Sequence, residues 1–231
     1  MLFKCRDITF KYPGSRNYVF KNLSFEMVEP GFHALFGPSG VGKTSFAKIL
    51  TGETMEFSGE IHMDGMKTLL YSYNLERLPG WSSVGKHLEK VTPPSQKGKK
   101  DELIEAFGLK ELVGFRFSQL SLGQQNRINL IRYLLQDFHM LVMDESLANV
   151  DELTREKILL KMKDMFPDTF FLYISHNVIE VSKFCKEILV LRDAGKVPQV
   201  TKIEGQNCSI HRQIDKEKLE LTMLEVMNAS L

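Results

Sequence analysis

The sequence predicts an α/β domain: a mostly parallel sheet with helices on both faces, an antiparallel β-region ahead of it, and a small helical insertion. Three observations carry this. The glycine-rich run GPSGVGKTS at residues 37–45 sits between an apolar stretch and a helical pattern, the order strand, loop, helix. After residue 121, helical and strand-like segments alternate, as they do in chains that build parallel sheets. Before the glycine run, short segments of period-two apolar spacing follow one another with no helix between them.

The elements follow in chain order. Residues 2–10 place Phe3 and Cys5, then Ile8 and Phe10, at alternating positions of a first strand, and Tyr12-Pro13-Gly14 signals a turn. Residues 19–27 alternate again, with Leu23, Phe25 and Met27 on one side. Residues 32–36 (FHALF) read as a buried strand. Residues 44–50 read as a helix with Phe46, Ile49 and Leu50 on one face, stopped near Gly52. Residues 59–63 form a short strand, with Asp64-Gly65 read as a hairpin dipeptide. From 81 to 119 strand signals fade: Thr92-Pro93-Pro94 breaks the chain, residues 97–100 (KGKK) read as a solvated basic loop, and Leu103, Ile104 and Phe107 have helical spacing. Residues 124–136 are helical through Ile128, Ile131, Leu134 and Leu135. Then come a strand at 140–143, a long helix at 150–166, and strands at 169–174 and 188–191. An amphipathic helix at 210–228 is expected to pack on its own domain.

The 231 residues, 43% hydrophobic and 26% charged, suffice to bury an ordinary core in one large domain or two small ones. A net charge of +1 gives no global pull towards nucleic acid or anionic lipid. No apolar run approaches a membrane span, and the N-terminal MLFKCRDITF has no signal-peptide core, so a membrane role would come through a partner. Cys5, Cys185 and Cys208 are far apart with no C-x-x-C pair, and read as free thiols of a reducing cytosol.

The glycine run fits G-x-x-x-x-G-K-[ST], and the spacing has a mechanical reason. Gly37, Gly40 and Gly42 let the backbone wrap a polyphosphate with successive N–H groups pointing inward. Lys43 reaches the β- and γ-phosphates, Thr44 offers a hydroxyl to Mg²⁺, and the following helix presents its positive end. Residues 139–145 (HMLVMDE) form an apolar strand ending in two carboxylates. Asp144 would stand near the Mg²⁺ held by Thr44, and Glu145, facing the γ-phosphate, would polarise a water; the pair fits hydrolysis better than transfer. Residues 120–125 (LSLGQQ) open a helix with Ser121 as its N-cap, making with Gly123 a second small anion site that need not serve the same chain's nucleotide. His176 follows a buried strand, where a neutral imidazole can hydrogen-bond a γ-phosphate.

In this order the motifs resemble the nucleotide-binding subunits of ATP-binding cassette (ABC) transporters, from Tyr12 to about residue 205. The resemblance implies a P-loop NTPase core of RecA-like type over residues 1–205, with a helical subdomain inserted at about 82–125 and a helical tail at 206–231. Gly37, Pro38, Ser39, Gly40, Val41, Gly42, Lys43 and Thr44, with Ser45 beside them, match the Walker A loop. Asp144 matches the Walker B aspartate and Glu145 the catalytic glutamate. Residues 146–151 (SLANVD), with Ala148 and Asp151, resemble the D-loop; His176 matches the switch histidine; Tyr12 sits where an aromatic ring stacks on adenine. Ser121, Leu122, Gly123 and Gln124 match the signature, usually LSGGQ, with Leu122 in place of a glycine. The family's glutamine loop has no glutamine here: counting back from Trp81 and Val84 gives Asn74, counting forward from Asp64-Gly65 gives Tyr71, and Asn74 keeps an amide. Residues 77–84 (RLPGWSSV) and 191–200 (LRDAGKVPQV) resemble the nitrate, sulfonate and taurine importer type.

The resemblance further implies an ATPase using Mg²⁺ with ATP, with Glu145, His176 and Lys43 catalytic. Two copies would sandwich two ATP molecules, the signature of one facing Lys43 and Thr44 of the other. The pair would drive an integral membrane permease docked near residues 71–90, on the cytoplasmic face of the membrane, for import of a small solute. No nucleic acid is expected as partner. The rival reading is a soluble non-transport ABC ATPase acting on nucleic acid or as a regulatory switch, but tandem cassettes, long coiled-coil insertions and a strong basic patch are all missing. A GTPase would need N-K-x-D, also missing, and a kinase has no use for LSLGQ.

Overall fold

The computed structural model describes the chain from residue 1 to 231 except residues 55, 75, 77–79 and 213. Three of these, Arg77, Leu78 and Pro79, belong to the importer-like RLPGWSSV segment, so that part of the resemblance lies outside the described residues.

Two sheets form the frame. β1 (Leu2–Phe10), β2 (Phe20–Met27) and β4 (Ser58–Asp64) make an antiparallel sheet in the order β2-β1-β4. The larger sheet has the order β5-β6-β7-β3-β8-β9, from β3 (Gly31–Phe36), β5 (Leu69–Tyr73), β6 (Met140–Asp144), β7 (Phe170–Ile174), β8 (Glu187–Leu191) and β9 (Val200–Glu204). All its pairings are parallel except β8 with β9. β6 and β7 are buried at every position, as strands covered on both faces must be.

The alternation of side chains along these strands builds two cores. One face of the large sheet, with Leu35, Val142, Leu172 and Leu189, packs on α1 (Lys43–Leu50) and the antiparallel sheet. The other face, with Ala34, Leu141, Phe171 and Ile188, packs on α4 (Leu122–Leu134), α5 (Glu152–Met165) and α6 (Val178–Phe184). The insertion holds α2 (Val84–Val91) and α3 (Lys97–Ala106). At the end, α7 (Lys216–Ser230) lies against α6, β8 and β9 through buried Thr222 and Val226.

Several sequence expectations need correction. Residues 97–100 are the first turn of α3, not a loop: Leu103 and Ile104 bury that helix, and packing outweighs an unfavourable basic N-terminus. Asp64-Gly65 ends β4 but makes no hairpin, because β4 pairs with β1 while β5 joins the other sheet. The last helix begins at Lys216, capped by Asp215, six residues after the expected start. β5, α2, α6 and β9 had no reading of their own. The three cysteines are free and buried. No helix among the described residues is long and apolar enough to cross a membrane.

Candidate functional site

The parallel strands point their C-terminal ends to one edge, where ligands gather in such sheets. β3 leads there into the glycine loop. Gly42 is the N-cap of α1 at φ 110°, in the left-handed region, and a Cβ there would meet Val19 Cγ1 at 2.5 Å. No side chain caps α1, so the amides of its first turn are left for an anion. The Lys43 ammonium folds over the loop and donates to the carbonyls of Gly37 at 2.7 Å and Pro38 at 2.8 Å. Burial pushes its pKa below the usual lysine value; Glu145 and Asp144 oppose that shift.

β6 ends beside this loop. Thr44 Oγ1 donates to Asp144 Oδ2 at 2.7 Å, and the Tyr71 phenol donates to the same oxygen at 3.1 Å. Burial, then the Asp144 charge, raise the Tyr71 pKa, so the phenol keeps its proton as a donor. A hydroxyl and a carboxylate are hard oxygen ligands that fit Mg²⁺, which takes few protein ligands and completes its shell from phosphates and water, while the Tyr71 phenol steadies the carboxylate. Glu145 has φ 50°, uncommon for a residue with a side chain, and its N–H donates to the Ile174 carbonyl at 3.2 Å. The turn thus separates two neighbouring carboxylates, one on Thr44 and one at the open side. His176, on the loop after β7, places Nδ1 3.4 Å from Glu145 Oε1, with its ring 79% exposed.

A cavity of about 750 Å³ joins the loop to the two carboxylates; His176 does not line it and reaches it only through Glu145. It is lined by Ser39, Gly40, Gly42, Lys43, Thr44, Ser45, Asp144 and Glu145, with Tyr12, Tyr71, Tyr73 and Asn74 at its sides. Tyr12 is half-exposed; its hydroxyl bonds Ser45 Oγ at 2.7 Å and its ring meets Phe10 edge-on. Asn74 and Tyr71, the two candidates for the glutamine-loop position, both line the cavity; the Tyr71 hydroxyl donates to the Asp144 carboxylate, while the Asn74 N–H donates to the Asp144 carbonyl at 3.1 Å and its side chain accepts from Asn126. Pro38 and Val41 line a separate, smaller hollow of about 330 Å³ on the outer side of the loop.

The signature residues are elsewhere. None of Ser121, Leu122, Gly123 and Gln124 lines the phosphate cavity. Ser121 caps α4, accepting from the Gln124 N–H at 3.3 Å while Gln124 Oε1 accepts from the Ser121 N–H at 2.8 Å. A Cβ on Gly123 would stand 2.1 Å from the Asn149 carbonyl, so only glycine lets the signature helix approach the loop after β6 this closely. Asp151 ends that loop as the N-cap of α5, accepting from the Thr154 N–H at 2.9 Å, which lowers its pKa.

Sequence reading missed several residues around this edge. Glu53, Lys48 and Tyr73 line the cavity without belonging to any motif. Asn126 is a buried polar residue on α4, and it stands in the polar run Gln124 to Arg127, so nothing in the local sequence marks it. Glu180 is buried beside the segment that carries His176: Arg155 Nη1 donates to it at 2.6 Å, the Tyr173 hydroxyl at 2.9 Å and Asn177 Nδ2 at 3.1 Å.

A sequence profile of the family described as ABC transporter matches residues 20–148. The chain is 26% identical over 221 residues to the aliphatic sulfonates import ATP-binding protein SsuB of Bacillus thuringiensis subsp. konkukian, covering 90% of this chain and 87% of that one. It is 32% identical over 197 residues to the taurine import ATP-binding protein TauB of Ruegeria pomeroyi, covering 77% and 72%. Its fold matches a bacterial Atm1-family ABC exporter solved with ATP bound, with a TM-score of 0.78 at 19% identity, over 98% of this chain and 41% of that one.

Proposed function

The chain belongs to the ABC transporter family, and we propose that it is the ATP-hydrolysing subunit of a small-solute importer, working in pairs beneath a membrane permease. It is an ATP-binding subunit and a transport-coupled ATPase, as its relatives are. The observation that carries the paired reading is the division of the site. The phosphate loop and the two carboxylates share one cavity, while the Ser121 end of α4 lies outside it. An ATP held by Lys43 and Thr44 leaves its γ-phosphate side open, and a second copy's Ser121 and Gly123 would close it. The two copies would then be joined through ATP and released when it is cleaved.

In this reading Lys43 leaves the Gly37 and Pro38 carbonyls for the β- and γ-phosphates, a charge-assisted contact stronger than the neutral ones it replaces. The glycine-loop amides and the uncapped start of α1 hold the remaining phosphate oxygens. Thr44 and Asp144 would hold Mg²⁺, which when bound neutralises phosphate charge. Glu145 orients a water and takes its proton as the water oxygen bonds to the γ-phosphorus and the bond to the ADP oxygen breaks. His176, beside Glu145, donates to a γ-phosphate oxygen. Tyr12 gives a ring for the adenine face, and Asn74 stands where the permease-side segment enters the cavity. The permease would dock near residues 71–90, on the cytoplasmic face of the membrane. Cargo is set by the partner proteins.

The test is Glu145→Gln with purified chain. ATP should still bind, phosphate release should fall by about 10²–10⁴-fold, and light scattering with ATP should show accumulated dimer. Full turnover in this variant overturns the role of Glu145. A chain that stays monomeric with ATP, even with its permease supplied, overturns the pairing.

A further inference from the structure

Asn126 takes part in none of these steps, yet it is 3% exposed and sits where three segments meet. Its Nδ2 donates to Asn74 Oδ1 at 2.9 Å and to the Ala148 carbonyl at 2.7 Å. A backbone carbonyl can only accept, so the Ala148 contact fixes which way the Asn126 amide is turned. Both of its amide hydrogens are then used, and Asn74 has to present its oxygen. One side chain therefore joins the signature helix, the cavity-lining residue after β5, and the loop that follows Glu145.

The tie is anchored further along the same helix. Asn129 Nδ2 donates to the Glu76 carbonyl at 2.7 Å, and the Tyr133 hydroxyl donates to Glu76 Oε2 at 2.9 Å. Arg132 pairs with the same carboxylate. Positions 126, 129 and 133 follow the three- and four-residue spacing of one helix face, so α4 grips Asn74 and Glu76 together. Burial matters here: an exposed amide would exchange such bonds for water at small cost, whereas a buried one leaves its partners unsatisfied.

We propose that Asn126 is a positioning residue, which locks the signature helix, Asn74 and the Ala148 loop into one unit. The signature end then cannot shift against the phosphate cavity without breaking both Asn126 bonds, and closure on one side is felt at the other. This rests on the ATPase reading above.

The experiment measures steady-state ATP hydrolysis and the affinity for a fluorescent ATP analogue, using the full chain. Asn126→Ala should lower kcat about 10- to 100-fold, the scale of a small misplacement at a reacting centre. KM and analogue affinity should stay within about threefold, because the phosphate loop is untouched. Asn74→Ala should lower kcat as well, and adding Asn126→Ala to it should cost less than Asn126→Ala does alone, since the shared contact is already lost and only the Ala148 bond remains to break. Asn126→Asp keeps the shape, loses both donors and faces the Ala148 carbonyl with an acceptor, so it should lose kcat too and decides the matter where the alanine variant does not fold. A kcat within about twofold of the unsubstituted chain in either Asn126 variant, or losses at 74 and 126 that simply multiply, overturns the proposal. Failure of the ATPase reading shows separately, as no ATP hydrolysis by the unsubstituted chain; failure of the Asn126 role shows with that hydrolysis intact.

Discussion

The phosphate-loop end and the signature end are built from the same device, a glycine-bearing turn at the start of a helix, and differ in what has been done with the helix amides. At α1 no side chain caps the first turn. At α4 the first turn is closed by a reciprocal pair, Ser121 with Gln124. The first end sits in a cavity with a lysine across it; the second lies on the surface outside that cavity. An uncapped, glycine-lined helix start is an incomplete structure that an anion completes. A capped one already has two of its amides paired, those of Ser121 and Gln124, so it offers an anion less. In the proposed pair, phosphate binding would belong to one copy, while the second contact would contribute mostly once the pair closes.

The sharpest way to break this comparison is Lys43→Ala. Each charge-assisted hydrogen bond removed is worth about 1.5–3 kcal/mol, so ATP affinity should fall by roughly two orders of magnitude in a titration on the isolated chain. Should affinity survive, binding does not reside at the phosphate-loop end.

Gly123→Ala probes the other end. Its Cβ would have to displace the Asn149 carbonyl, now 2.1 Å from that position, and Asn149 is already at φ 62°. We expect hydrolysis and ATP-dependent dimer to fall by about 10²-fold, the cost of a misplacement near 1 Å, with ATP affinity of the single chain unchanged. Equal losses in binding and turnover would erase the distinction between the two ends.

A third, smaller effect is in the pH profile. Burial lowers the Lys43 pKa from its usual 10.5, so its charge is lost at a lower pH than for an exposed lysine. The alkaline fall of kcat/KM for ATP should therefore begin below the ordinary lysine range, and Lys43→Arg, which stays charged, should remove that limb even where it slows the reaction. No comparable limb belongs to Ser121 or Gly123.

How much of this was legible in the sequence follows the same division. The phosphate loop and the β6 carboxylates were readable because their chemistry is local: glycine spacing, a lysine, and two acids at a strand end. The order of motifs also gave the family and the parallel sheet. β5 (LLYSY) and β9 (VTKIE), as long as β6 and β7, escaped because polar residues interrupt these edge strands where β6 and β7 run apolar. The start of α3 escaped because four residues rich in lysine read as solvated, and only its packing through Leu103 and Ile104 makes it helical. The Asn126 and Tyr71 hydrogen bonds reach across 52 and 73 residues, a separation that no local pattern encodes.

Leu122 is where the signature end departs from its family, and its replacement gives the smallest effect. The side chain is half-exposed at the first position of α4, beyond Ser121, so it adds bulk on the surface that would face a second copy's ATP. Leu122→Gly removes that bulk and lowers helix propensity by about 0.8–1 kcal/mol, while the buried face of α4 stays as it is. The melting temperature should drop slightly while ATPase turnover rises by less than about tenfold, a change under 1.4 kcal/mol in the barrier. A rise confined to conditions where dimer forms would place the restraint in closure of the pair. A rise in dilute single chains as well would locate it within one copy, and the contrast between a self-sufficient phosphate end and a partner-dependent signature end would have to be redrawn.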